Sequence, residues 1–149
     1  MIEVRAARPG DRAAWLGLRL ALWPEGSPAE HSAEIAAYFV GRARAPFEVL
    51  LAFDVSHRPV GLAELSIRWC AEGCSTDRVA YLEGWYVAPE ARRQGVGRAL
   101  IARAEHWARE QGCTEFASDA DPDNQRSAAA HQGVGFEEVG LVRCFRKAL

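Results

Sequence analysis

The segment RRQGVG has the composition of an anion-binding loop, and its members are Arg92, Arg93, Gln94, Gly95, Val96 and Gly97. An amphipathic helical pattern follows directly, and the N–H groups at the start of a helix lack partners within the helix. The helix dipole adds positive charge there, and glycine lets the backbone approach an anion because no Cβ intervenes. With Arg98 adding charge, the segment predicts a pyrophosphate cradle, and a plain turn before a surface helix remains the alternative.

Carboxylates supply the second candidate chemistry, because they can hold an ammonium group or accept its proton. Glu83 stands inside the apolar stretch YLEGWYV, where a charge is out of place unless it faces a cleft. Asp119, Asp121 and Asp123 follow another apolar stretch, at the kind of strand end where α/β sheets bind ligands. The alternatives are that Glu83 is exposed on an edge strand and that Asp121 or Asp123 caps a helix.

Alternating elements must position these groups. Strands are predicted at IEVRAA, FEVLLAFD, VGLAELSIRW, VAYLEGWYV, CTEFASDA and FEEVGLVRCFRKAL. Helices are predicted from Asp11, over residues 28–43, over residues 97–111 and in a short segment ending near Gln132. The order is β-α-α-β-β-β-α-β-α-β. Adjacent antiparallel strands combined with crossover helices predict an α/β fold of mixed α+β character, with one central mixed sheet flanked by helices.

The composition predicts a single soluble domain over residues 1–149, with 49% apolar and 26% charged residues. A net charge of −2 argues against nucleic acid as the main partner. We expect no membrane contact, because neither a signal peptide nor a bilayer-spanning apolar run is present. The four cysteines lack zinc-ligand spacing and His131 is isolated, so we expect no metal and free thiols in a reducing cytoplasm.

The glycine loop after the fourth predicted strand resembles that of the GNAT family, the GCN5-related N-acetyltransferases. The family motif is Arg/Gln-x-x-Gly-x-Gly/Ala, and a downstream pattern of the family is similar to Asn124, Ser127 and Gly135-Phe136. The resemblance covers essentially the whole chain and implies the GNAT fold. It implies that the loop binds the pyrophosphate of acetyl-coenzyme A (acetyl-CoA). It also implies that main-chain groups of Trp85, Tyr86 and Val87 and the side chain of Asn124 contact this cosubstrate.

Four segments are similar to the aminoglycoside 6′-N-acetyltransferases, a subgroup of that family: LWP (22–24), LEGWYV (82–87), CTEFASDA (113–120) and HQGVGF (131–136). The resemblance implies an oligo-cationic substrate, which the carboxylates of Glu83, Asp119, Asp121 and Asp123 would attract. It places Trp23, followed by Glu25, against the substrate, where an indole face can hold a sugar or an ammonium. The alternative is that Trp23 is an ordinary buried aromatic residue.

The sequence departs from the family at three positions. His131 stands where many acetyltransferases have a tyrosine that protonates the leaving thiolate, and it is either that acid or a packing residue. Cys70 stands where relatives can have a tyrosine against the substrate, and Gly140 where they can have an acidic residue. Either change alters the set of aminoglycosides that are accepted.

These expectations combine into one reaction. The amine of a bound aminoglycoside attacks acetyl-CoA directly in a ternary complex, because no cysteine lies on the LEGWYV strand or in the glycine loop. The catalytic residues are Glu83, Asp119 and His131. Acetylation removes one positive charge from the drug and weakens its hold on RNA, which confers aminoglycoside resistance. Subgroup members use C-terminal strands to form homodimers, which this sequence permits. The alternatives are an acetyltransferase for another small amine or a protein N-terminus, and a non-catalytic acyl-CoA-binding module.

Overall fold

One mixed sheet of five strands forms the centre of the computed structural model, which describes residues 1–149. The strands are β1 (Glu3–Ala6), β2 (Glu48–Phe53), β3 (Pro59–Arg68), β4 (Val79–Val87) and β5 (Phe116–Ser118). They lie in chain order. The first four are antiparallel to their neighbours, and β5 is parallel to β4. The predicted single mixed sheet is confirmed.

Four helices flank this sheet: α1 (Arg12–Leu22), α2 (Pro28–Phe39), α3 (Val96–Glu110) and α4 (Gln125–Gly133). A single 3₁₀ turn, Pro9–Asp11, leads into α1. The Ser27 hydroxyl accepts the Glu30 N–H at 3.0 Å and fixes the start of α2. Helix α2 ends at Phe39, four residues before the predicted end, and Gly41 takes a left-handed φ of +72° just beyond it.

The core is divided between the two faces of the sheet. Helix α3 covers one face, where Leu65 and Leu82 pack with Leu100 and Ile101. Helices α1 and α2 cover the other face, and there Leu62 of β3 packs in the cluster around Trp15. Successive side chains of a strand point to opposite faces, so the centre of β3 is buried on both sides.

The prediction of a last strand at FEEVGLVRCFRKAL, residues 136–149, is wrong, because these residues form no strand. The alternating apolar pattern predicts β structure, but a strand also needs a ladder partner, and this segment pairs with no strand of its own chain. Its apolar side chains are exposed: Val139, Leu141, Val142, Phe145 and Leu149. The predicted strand at 113–120 is likewise shortened to the three residues of β5 that pair with β4.

Candidate active site

Strand β4 is paired on both sides over only part of its length. Its ladder with β5 runs from Ala80–Phe116 to Leu82–Ser118, whereas β3 remains paired with β4 as far as Val87. The last five residues of β4 therefore have no strand on their β5 side. Their backbone groups can pair with an extended ligand in strand fashion. We call this opening between β4 and β5 the wedge.

The glycine loop, residues 92–97, links the end of β4 to α3. Gly95 is the N-cap of α3 and has a left-handed φ of +83°, which glycine adopts without steric cost. The Arg92 Nε donates to the Val87 carbonyl at 2.9 Å, and the Gln94 amide donates to the Glu90 carbonyl at 3.0 Å. These bonds shape the loop. The first N–H groups of α3 lack partners within the helix, as do those of helix starts that bind anions.

Two observations test whether the expected cosubstrate fits here. No atom lies within 4 Å of the place where a Cβ on Gly95 would stand, and a Cβ on Gly97 would come 3.1 Å from the Trp85 ring. The Trp85 Nε1 is buried and has no hydrogen-bond partner within the chain. An open glycine loop, unpaired β4 backbone and an unpartnered donor fit a ligand with a pyrophosphate at one end and amides along its length.

A β-bulge aims the side chain of Glu83. Glu64 of β3 pairs with Gly84 and the next residue, Leu65, pairs with Leu82, so Glu83 is an extra residue in β4. A bulge re-aims a side chain without ending the strand, which resolves the apparent misplacement of a carboxylate in this apolar stretch. Glu83 lies directly after the last β4–β5 pair, at the narrow end of the wedge.

The Glu83 carboxylate is held by two residues of β3. The Arg68 guanidinium donates from Nε to Oε1 at 3.0 Å and from Nη2 to Oε2 at 2.7 Å, and the Ser66 hydroxyl donates to Oε1. This bidentate contact with Glu83 raises the pKa of Arg68 above its ordinary value. Glu83 retains 25% of its side-chain exposure and therefore remains open to a ligand.

Asp119 is joined to Glu83 through two intermediate side chains. The Tyr81 hydroxyl donates to Asp119 Oδ2 at 2.5 Å, and the Arg68 guanidinium lies 3.5 Å above the centre of the Tyr81 ring. Burial, and next the bond to Asp119, raise the pKa of Tyr81. The two predicted carboxylates thus border the same region.

A cleft of 410 Å³ lies on the α1 side of Glu83 and is lined by Arg19, Trp23, Ala45, Pro46, Glu64, Arg68 and Glu83. The Trp23 ring is packed closely there, because a Cβ on Gly84 would lie 2.8 Å from its Cη2. Arg19 supports this ring at 5.4 Å and donates from Nε to Glu64 Oε2 at 3.0 Å. Burial raises the pKa of Glu64, although Arg19 opposes that shift.

His131 is surrounded by hydrogen-bond partners and aromatic rings. Its Nδ1 lies 2.7 Å from the Ser127 carbonyl, which can only accept, so Nδ1 carries a proton. Its Nε2 lies 2.8 Å from the Ser118 hydroxyl, which is also 3.2 Å from the Leu82 carbonyl at the narrow end of the wedge. The imidazole packs edge-on against Trp85 at 5.2 Å. His131 therefore faces the wedge through Ser118.

Several predicted residues take other positions. Asn124 caps α4 by accepting the Ser127 N–H at 3.0 Å, so the expectation that Asp121 or Asp123 caps that helix is wrong. Asp121 instead accepts the Asp123 N–H at 3.0 Å in a local turn. The remaining predicted contacts, Glu25, Cys70 and Gly140, are exposed, and none lines the 410 Å³ cleft. Arg98 donates to the Gly133 carbonyl at 3.0 Å, which joins α3 to α4.

Sequence reasoning missed Arg68, Ser66, Tyr81 and Ser118. Glu64, Ser66 and Arg68 alternate along β3, and this polar alternation was an available signal that one face of the strand borders a cleft. The pairing of Arg68 with Glu83 was beyond such reasoning, since it depends on the bulged register between β3 and β4.

No His, Cys, Asp or Glu side chains gather in a group of three or more that could hold a metal ion. None of the four helices has the length and apolar character needed to cross a bilayer.

Comparison with known sequences identifies related enzymes. The sequence model of the acetyltransferase (GNAT) family matches residues 13–136. The aminoglycoside N(6′)-acetyltransferase type 1 of Klebsiella aerogenes is 53% identical over 146 residues, which are 98% of this chain and 96% of that protein. The protein of the same name from Serratia marcescens is 42% identical over 137 residues, covering 91% and 92% of the two chains.

Solved structures give the same result for the fold. The structure of AAC(6′)-Iy in complex with the bisubstrate analogue CoA-S-monomethyl-acetylneamine superposes with a TM-score of 0.92 at 33% identity, covering 100% of this chain and 99% of the other. The aminoglycoside 6′-N-acetyltransferase AAC(6′)-Ih from Acinetobacter baumannii superposes with a TM-score of 0.91 at 37% identity, covering 100% and 99%. The predicted resemblance is confirmed.

Proposed function

Because the chain belongs to the acetyltransferase (GNAT) family, we propose that it transfers the acetyl group of acetyl-CoA to the 6′-amino group of aminoglycosides. The observation that carries this proposal is the wedge, which joins free β4 backbone, the glycine loop and the Glu83 carboxylate. The relatives named as aminoglycoside N(6′)-acetyltransferases support the choice of amine. Residues 1–149 act as one acetyltransferase domain, and its four free cysteines suit the reducing cytoplasm.

The cosubstrate is assigned to the wedge and the glycine loop. Backbone groups of Trp85, Tyr86 and Val87 pair with its extended arm, and an N–H of this stretch donates to the thioester oxygen. The N–H groups from Arg93 to Arg98 hold its pyrophosphate, with Arg92 and Gln94 keeping the loop in shape. Asn124 has a free amide N–H₂ beyond its capping bond and contacts the same ligand.

The aminoglycoside is assigned to the cleft and its border. Its ammonium groups pair with Glu83 and Asp119, and one sugar ring lies on Trp23. Glu25 and Cys70 are exposed and contact the substrate only at the edge of the cleft. The carboxylates therefore supply the attraction for a polycation even though the chain's net charge is only −2.

The bound thioester supplies an activated acetyl carbon. Glu83 accepts a proton from the substrate ammonium, directly or through water, and the neutral amine then forms the new C–N bond. The C–S bond breaks and its electron pair stays on sulfur. The nitrogen loses its second proton to water as the amide forms, and the thiolate takes the proton of the Ser118 hydroxyl. In its imidazolium form His131 returns a proton from Nε2 to Ser118, because Nδ1 stays bonded to the Ser127 carbonyl.

A coupled thiol-release assay tests the proposal. We expect acetyl-CoA-dependent turnover with kanamycin or tobramycin and none with an aminoglycoside that carries a 6′-hydroxyl. Turnover of a simple polyamine or a peptide N-terminus instead would replace the substrate assignment. Binding of CoA by calorimetry without any turnover would identify a non-catalytic acyl-CoA-binding module.

We also propose that the protein is a homodimer joined through residues 136–149. The open edge of β5 lacks a strand, and the exposed apolar side chains of this segment lack a cover within the chain. Light scattering on a size-exclusion column should give twice the mass of 16.4 kDa. Removal of residues 138–149 should yield a monomer, and a monomeric full-length chain would contradict the proposal.

A further inference from the structure

We propose that Arg68 is an internal counter-ion that occupies the ammonium site at Glu83 until a substrate amine displaces it, and that Arg68 thereby lowers the affinity of the site for every amine. This inference rests on the proposed function and adds a residue that sets the affinity for the substrate. Its physical basis is that a guanidinium and an ammonium compete for the same carboxylate oxygens.

The hydrogen bonds identify Glu83 as the carboxylate that Arg68 engages. Both oxygens of Glu83 accept from Arg68, at 3.0 and 2.7 Å, and the guanidinium also stacks on Tyr81 at 3.5 Å. A substrate ammonium that takes the position of the guanidinium at Oε2 therefore replaces the shorter of these bonds. Arg68 can leave, because it is the last residue of β3 and its side chain is 43% exposed.

A second cleft beside Arg68 can accept its displaced side chain. It lines the 410 Å³ cleft beside Glu83 and also a second cleft of 350 Å³, which includes Phe47, Trp69 and Asp77. A rotation of its side chain toward Asp77 would keep the guanidinium near a carboxylate while it vacates Glu83. Arg68 thus lies between the Glu83 carboxylate, with which it pairs, and the neighbouring 350 Å³ cleft.

Substrates with several amines can offset the cost of displacing Arg68. A monoamine that replaces Arg68 exchanges one ion pair for another and gains little. A polyamine can place one ammonium at Glu83 and a second at Asp119, which accepts from the Tyr81 hydroxyl and has Arg68 as a nearby cation. The second pair offsets the loss of the Arg68 contacts, whereas the cost of displacement is the same for both classes of amine.

Arg68→Met tests this inference, because methionine keeps an apolar stem over Tyr81 and removes the competing charge. We expect the KM for tobramycin to fall about fivefold, with the KM for acetyl-CoA unchanged. Displacement of Arg68 costs every amine the same free energy, so the KM for a simple monoamine should fall by the same factor. Arg58→Met is the matched control, since Arg58 pairs with Asp54 just before the opposite end of β3 and its loss changes the net charge equally.

Guanidinium ion supplies a readout that a merely structural role would not move. Guanidinium chloride, far below the concentration that unfolds the protein, should raise the tobramycin KM of Arg68→Met toward the wild-type value. An equal concentration of NaCl should do so less, and the Arg58→Met protein should not respond beyond the salt effect.

The outcomes separate the inference from the proposed function. If the wild type acetylates no 6′-amino aminoglycoside, the proposed function fails and the inference fails with it. If the wild type is active but Arg68→Met has an unchanged or higher tobramycin KM, the inference alone is overturned. Should Arg68→Met fold poorly, Arg68→Lys replaces it, and the loss of one of two bonds to Glu83 should lower the KM about twofold.

Discussion

The two ends of the site are built from different parts of the chain. The glycine loop, the proposed anion site, is a local structure shaped by the left-handed Gly95, one arginine–carbonyl bond and one amide–carbonyl bond. The carboxylate end is assembled from distant segments, because Glu83 of β4 is held by Arg68 and Ser66 of β3. The glycine loop depends only on a short sequence motif, whereas the carboxylate end depends on the register between β3 and β4.

This contrast predicts different responses to substitution. A substitution in the glycine loop should weaken the binding of acetyl-CoA without altering the carboxylate end. A change at the carboxylate end should alter the chemistry, the substrate affinity or the stability, since its side chains are coupled to one another and to the buried Arg19–Glu64 pair.

Glu83→Gln should have the largest effect. Loss of the group that accepts the ammonium proton should lower kcat/KM for tobramycin by about 10²–10³-fold, while the Kd for CoA stays unchanged. Steady-state kinetics and calorimetry measure the two quantities. Glu110→Gln, an equal charge change at the end of α3, should behave as wild type. A Glu83→Gln protein with near wild-type kcat/KM would remove Glu83 from the chemistry.

Arg19→Met should destabilise the protein by about 3 kcal/mol, because it leaves the buried Glu64 carboxylate without its ionic partner. Urea unfolding measures this loss, and Arg109→Met on the exposed face of α3 is the control. A loss below 1 kcal/mol, on the order of a surface pair, would contradict a role for Arg19 in supporting the cleft.

The pH dependence of that loss gives a second check. Burial raises the pKa of Glu64 and Arg19 lowers it, so removing Arg19 raises this pKa further above the ordinary 4.5. A carboxyl whose folded-state pKa is raised favours the folded state at low pH and loses that advantage as the pH rises through it. The destabilisation by Arg19→Met should therefore be larger at pH 8 than at pH 5, and an equal loss at both would contradict the assignment.

Gly95→Ala should raise the KM for acetyl-CoA about tenfold, because alanine disfavours the left-handed φ of +83° and moves the loop N–H groups. Gly112→Ala is a close control, with a φ of +80° and no atom within 4 Å of the added Cβ. Both variants should lose about 1 kcal/mol of stability, but only Gly95→Ala should weaken acetyl-CoA binding. Equal KM values for acetyl-CoA in the two variants would mean that the loop is merely a turn.

Ser118→Ala should have the smallest effect. A thiol with a pKa of about 8.5 has a weakly basic thiolate, which is a good leaving group even without a proton. Loss of the proposed proton donor should therefore lower kcat only about threefold. The decrease should grow as the pH rises, because water replaces the hydroxyl less effectively when protons are scarce. A kcat that matches the wild type at every pH would leave Ser118 with a structural role only, in the bonds to Leu82 and His131.

The order of elements and the glycine loop could be predicted from the sequence because both depend on local patterns. Apolar periodicity places α1, β3 and α3 within a few residues, and the loop motif lies within a single segment. The segment 136–149 shows the limit of such patterns, since it has the alternation of a strand but no ladder partner within the chain. Asn124 shows the same limit, because its side chain accepts a capping bond that the sequence equally allowed to Asp123.

The sequence by itself determined the fold class and the glycine loop at the start of α3, because local backbone conformation follows from nearby residues. Only the tertiary structure decided that Glu83 is the extra residue of a bulge, that Arg68 lies on its carboxylate and that Tyr81 reaches Asp119. Which side chains meet across two strands depends on their register, and a shift of one residue would turn each of these groups to the opposite face.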